Sequence, residues 1–229
     1  MATSNTTDFD LNVDEVIQEA YNRCGVRTNT GYDLKRARRN LNILFSEWGN
    51  RGVHLWKVEL QTQALTAGTI NYAVPADVSD VLEAYISTTS GQTASTNDIS
   101  LTKIDRSAYA ALPNKGSQGQ PSQYFVDRQT IPVINLYVAP DAGTYTHLKY
   151  YTINRIMDAG AYTNTTDVAY RFIPCMVSGL SYYLSFLSNP QATQSLRLVY
   201  EDELQRALNE DGQRTSVYIS PQTFYGDGV

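Results

Sequence analysis

The spacing of apolar residues changes period twice along the chain, and this limits what the chain can fold into. From Val13 to Trp48 the apolar residues recur every three or four positions, which is the period of a helix. From Trp56 to Ile153 they alternate with polar ones, the pattern of half-buried strands. From Ile173 to Leu208 the helical period returns. Two helical segments separated by a β region can share one core only if the β region is inserted between them. The pattern therefore predicts an α+β protein. An antiparallel four-helix bundle is formed by residues 10–54 and 166–212, and a β domain over residues 55–160 is inserted into it as an antiparallel sandwich or barrel.

Local signals give the expected elements. Asn12 with Glu15 reads as an N-cap and its acidic N3 partner. Val13, Val16, Ile17, Ala20 and Cys24 form the first stripe, and Gly25 is a natural stop. Thr30 and Asp33 open a second helix with the stripe Leu34, Ala37, Leu41, Leu44 and Trp48, widened by Phe45 and closed by Gly52. The linking loop is short, so the two helices are antiparallel neighbours. Strands are expected around Trp56–Leu60, Ile70–Val74, Leu82–Ile86, Ile99–Ile104, Tyr124–Arg128, Val133–Val138 and His147–Ile153. Ser87–Asp98 and Pro113–Gln123 read as loops, and Asp105–Leu112 as one or two helical turns. Asp167 is the expected cap of the third long helix, with Val177, Leu180, Leu184 and Leu187 facing inward. Pro174 either kinks that helix or marks its start. Asn189-Pro190 opens the last helix, whose inward stripe is Leu196, Tyr200, Leu204 and Leu208 and whose end is Gly212.

Composition narrows the function. Of 229 residues, 17 are Tyr against 6 Phe and 2 Trp, and Tyr suits surfaces that pass from water to burial. No apolar run approaches the length of a spanning helix, so no membrane is expected. Met1–Asp10 lacks the basic and apolar stretches of a secretory signal. Cys24 and Cys175 cannot build a disulfide framework, and read as small buried hydrophobes. His54 and His147 lie far apart, so a His-rich metal site is not expected and no cofactor is implied. A net charge of −5 argues against a dedicated binder of DNA phosphates.

Few residues carry recognisable chemistry. Lys35, Arg36, Arg38 and Arg39 form a basic cluster on the second helix. It could touch nucleic acid or an acidic protein, or be a solvated face paired with Glu201, Asp202 or Glu203. Arg23 and Arg27 add to the local charge. Neighbouring carboxylates such as Glu201 and Glu203 do not face each other on a helix, so they make no catalytic pair. Gly116–Gly119 is too short for a phosphate cradle, and no nucleophile motif is present. In the tail, Val217, Tyr218, Ile219, Phe224 and Tyr225 stand between polar residues. They read as anchors for a partner's groove or sheet edge, or as packing on the chain's own bundle.

Several stretches together resemble a known family. These are Ala37-Arg38-Arg39-Asn40-Leu41-Asn42, Glu47-Trp48-Gly49-Asn50-Arg51-Gly52 with Leu55-Trp56, and Tyr72-Ala73-Val74-Pro75-Ala76-Asp77-Val78. Gln120-Pro121, Tyr124–Arg128, Leu136–Pro140, Ala169–Phe172 and Leu180–Leu184 follow in order. The whole resembles the head-to-tail adaptors of short-tailed bacteriophages, of the tail tubular protein A and tail accessory factor type. The resemblance implies a helical bundle with an inserted β domain. It also implies a non-enzymatic virion protein of the short tail, assembled in the host cytoplasm. Its partners would be copies of itself in a dodecameric ring, the portal protein and the tail nozzle protein, with double-stranded DNA passing through unbound. Residues 213–229 would be the portal-docking tail, with Val217, Tyr218, Ile219, Phe224 and Tyr225 at that interface. Two alternatives stay open. One is a cell-wall-degrading tail accessory enzyme, which needs two carboxyls about 5–9.5 Å apart. The other is a nozzle or receptor-binding tail component.

Overall fold

The computed structural model describes residues 5, 11–27, 31–53, 55–91, 96–141 and 143–212. Helices α1 (Val13–Arg23) and α2 (Gly31–Asn50) come first. Strands β1 (Val58–Ala64), β2 (Asn71–Ala73), β3 (Val78–Ser87), β4 (Asp98–Ser100) and β5 (Thr102–Lys103) follow, then the short helix α3 (Arg106–Ala111). Next come β6 (Gln118–Gly119), β7 (Gln123–Asp127), β8 (Val133–Tyr137), β9 (Ala139–Pro140) and β10 (His147–Asn154). Helices α4 (Ile173–Ser188) and α5 (Thr193–Asp211) close the described chain.

The four long helices contribute to one apolar core. At the start of α1 the Glu15 carboxylate accepts the backbone N–H of Asn12 at 2.9 Å, one half of the predicted capping box. Gly25 lies at φ +71°, a left-handed stop that glycine adopts without a Cβ clash. Helix α4 is the most deeply buried and packs against α1, α2 and α5. Small residues Ser178, Gly179, Ser181 and Ser185 let its neighbours approach, and Leu180 and Leu184 fill the space between. Fully burying each such leucine contributes roughly 1.5–3 kcal/mol. Pro174 sits in the first turn of α4, where its missing N–H breaks no helical bond, so it starts the helix and does not kink it.

The β region has a core of its own. One sheet has the order β1-β10-β3-β4 and another β2-β8-β7-β5, with a small β6-β9 pair beside them. Side chains from both larger sheets, including Val81, Ile86, Tyr124, Ile134, Leu136 and Leu148, fill this second core. The expectation of wholly antiparallel pairing is corrected here. β5 with β7 and β6 with β9 run parallel: α3 lies in the crossover from β5 to β7, and the β7-β8 hairpin returns the chain between β6 and β9.

Four further expectations are corrected. Trp56 lies in a 3-10 turn before β1, not in the strand. Its ring packs 4.7 Å from Phe172 and its indole N–H donates to the Asp167 carbonyl at 3.3 Å, so it belongs to the helical core. Leu82 is exposed although it fits the alternation. Glu83 pairs with Tyr151 and Val81 with Thr152, so Leu82 is the extra residue of a bulge, and Val81 takes the inward place. Asp167 does not cap α4, which begins after a 3-10 turn at Tyr170–Phe172. Its carboxylate instead holds the buried Lys57 ammonium at 2.8 Å. Leu187, expected inward, is 71% exposed at the end of α4.

Candidate interaction surfaces

The basic cluster of α2 divides into two cations bonded within the fold and two exposed ones. Arg36 turns along α4 and donates to Ser188 Oγ at 2.7 Å and to the Tyr21 hydroxyl at 3.3 Å. Arg38 donates to the Gly160 carbonyl at 3.1 Å and lies over the Tyr162 ring. It thus fastens the strand-to-helix connection after β10 to α2. Lys35 and Arg39 are exposed. Among the described residues, no carboxylate lies within ion-pair distance of any of the four. The acidic residues expected to neutralise them are engaged elsewhere. Glu201 pairs with Arg51 at 2.7 Å, Asp202 with Arg206 at 2.6 Å, and Glu203 lies 3.8 Å from Arg23.

Sequence spacing missed an apolar surface beside this cluster. Tyr32 and Ile43 share the outer stripe of α2 with Lys35 and Arg39, and they are 69% and 48% exposed. Phe186 and Leu187 end α4 in the open. Two hydrogen bonds align these helices: Arg36 to Ser188, and the Tyr183 hydroxyl to Glu47 Oε2 at 3.1 Å. These bonds set α4 against α2 and leave Phe186 and Leu187 exposed at its end.

Between α2 and the β region lies a cleft of about 620 Å³ lined by Asn42, Phe45, Gly49, Asp80, Arg128 and Asn154, among others. Asp80 and Asp158 both border it. Burial alone would raise the Asp80 pKa. The Arg128 hydrogen bond, the Lys103 ammonium at 3.6 Å and the Val81 N–H outweigh burial and hold it below the usual carboxylate range. The Arg51 guanidinium likewise holds Glu201 down, through two hydrogen bonds of 2.7 and 2.9 Å. A glycosidase acid must instead stay protonated near neutrality. Both cysteines are buried. The Cys175 thiol is pushed up to about 12 by burial, which suits an inert core residue and not a nucleophile.

These two carboxylates set an acid response. Each binds its proton less tightly when folded than when unfolded. Their stabilisation is complete above the unfolded pKa of roughly 4 and is lost as pH falls through the lower folded value. The urea midpoint is expected to drop between pH 6 and pH 3, and Asp80→Asn should flatten part of that slope. An unchanged slope in that variant would remove Asp80 from the account.

The tail anchors Val217, Tyr218, Ile219, Phe224 and Tyr225, and Thr30 and His54, lie outside the described residues. No helix among the described residues is long and apolar enough to cross a membrane.

The family profile of SU10 adaptor protein matches residues 5–223, and the chain belongs to that family of phage head-to-tail adaptors. It is a structural phage protein and a virion component. No curated protein matches the chain.

Proposed function

We propose that the chain is the subunit of a ring that joins the portal to the tail nozzle and forms part of the DNA conduit. The carrying observation is the family match across 5–223, which takes in the helical segments, the β region and part of the tail. In this reading residues 10–54 and 166–212 form an antiparallel four-helix bundle that packs around the ring. The inserted domain over 55–160 faces the tail. The ring is dodecameric and sits at the portal vertex. Lys35 and Arg39 are the members of the basic cluster available to a neighbour or to nucleic acid, since Arg36 and Arg38 are spent within the fold.

Charge supports a conduit. A protein that neutralises many phosphates binds DNA tightly through counterion release. A chain with net charge −5 lets DNA slide. Residues 213–229 dock on the portal through Val217, Tyr218, Ile219, Phe224 and Tyr225. Deleting 213–229 is expected to leave a folded chain that no longer joins the portal, measured by co-sedimentation with purified portal. Undiminished binding would overturn the docking role.

A further inference from the structure

We propose that the outer face formed by α2 and the end of α4 is a contact surface for a second copy of this chain. Tyr32, Lys35, Arg39 and Ile43 follow one another at spacings of three, four and four residues, so they form one stripe along α2. Phe186 and Leu187 add a second exposed apolar pair at the end of α4, the helix packed on α2. The four apolar side chains are 69%, 48%, 55% and 71% exposed, so all of them stand in water on these two helices.

The composition of this face favours a protein over DNA. Exposed aromatic and aliphatic side chains among a few cations are characteristic of protein interfaces, whereas DNA-binding faces are dominated by charge. The charge selects the occupant. Lys35, Arg36, Arg38 and Arg39 have no carboxylate within ion-pair distance among the described residues. Without those four, the chain holds 14 Lys and Arg against 23 Asp and Glu, and the rest of a second copy is therefore strongly acidic. A basic, apolar face meeting a different, acidic face of the next copy is a heterologous contact, the kind that closes into rings. This inference rests on the ring reading above and specifies which surface the ring uses.

The test places a photoreactive benzoylphenylalanine at Leu187 or at Tyr32 of the full chain, irradiated alone and within phage particles. The expected product is an adduct of two copies. The double charge reversal K35E/R39E should lower its yield at 0.15 M salt by about tenfold, the effect of roughly 1.4 kcal/mol. These two side chains are exposed and make no ion pair among the described residues, so circular dichroism of the reversed chain should match the parent. The neutral K35Q/R39Q gives an intermediate yield if charge is the cause. Adducts only with another virion protein or with DNA, no adduct at either position, or a yield indifferent to charge reversal would overturn the proposal. Portal adducts in place of self-adducts would sink this inference and leave the adaptor reading intact. Self-adducts from a chain that never joins the portal would do the reverse.

Discussion

Replacing Trp48 by Ala is expected to destabilise the helical part by about 4 kcal/mol, near the middle of the range for emptying an aromatic site. For a chain of this size that lowers the thermal midpoint by about 8–16 °C. Trp48 is fully buried, and its ring lies 6.0 Å from Phe45 and 5.8 Å from Phe172. Its indole N–H donates to the Tyr200 hydroxyl at 3.0 Å, and that hydroxyl meets Glu47 Oε2 at 3.1 Å. The residue therefore joins α2 to α5 by packing and by a polar chain. Burial pushes the Tyr200 pKa up, so its hydroxyl stays neutral and keeps its proton for Glu47. Trp48→Phe retains most of the volume and loses one hydrogen bond, so it should cost only about 1–2 kcal/mol. The helical signal in circular dichroism is the readout, because the substitution removes one of the 2 tryptophans that fluorescence would follow. Equal midpoints for the two variants would show that the site collapses around the lost ring.

The second large effect is expected at Gly179. A Cβ there would lie 2.9 Å from Leu44 Cδ1 and 2.9 Å from Tyr200 Cε2. Neither neighbour has room to retreat: Leu44 is fully buried, and Tyr200 is held through its hydroxyl. Glycine inside a helix costs roughly 1 kcal/mol against alanine, and the close approach of α2 and α5 to α4 explains why it is tolerated. Gly179→Ala regains that propensity but sets a methyl against two held side chains, so it should still destabilise by about 1–2 kcal/mol. Gly179→Val adds two further methyls and a β-branched χ1, and should destabilise by about 3 kcal/mol or more. A midpoint for Gly179→Val within a few degrees of the parent would mean that the three helices are not as tightly apposed as the contacts indicate.

These two residues show what the sequence reveals and what it hides. Trp48 falls on a regular stripe, and so do Leu41, Leu44, Leu180 and Leu204, because helical burial imposes a period that survives in the chain itself. Gly179 gives no such sign. Its reason lies across two other helices, and only their placement discloses it. Leu82 failed for a related cause: a bulge shifts the phase of an alternating strand without changing its residue types. Trp56 followed the strand alternation, yet its indole found a better partner in Phe172, far away in the chain.

The surfaces were legible only in part. The basic run on α2 was plain from residue types. Its division into two inward and two outward cations depends on where Ser188 and Gly160 lie. The exposed end of α4 was hidden because Leu187 keeps the 3-4-3 spacing of buried residues.

Assembly as a ring on the portal is the role proposed for this adaptor. The direct test is native mass of the full chain, alone and with purified portal. The account predicts that portal binds the chain in one defined multiple, giving a single ring-sized complex. A chain whose mass distribution is unchanged by portal would contradict it.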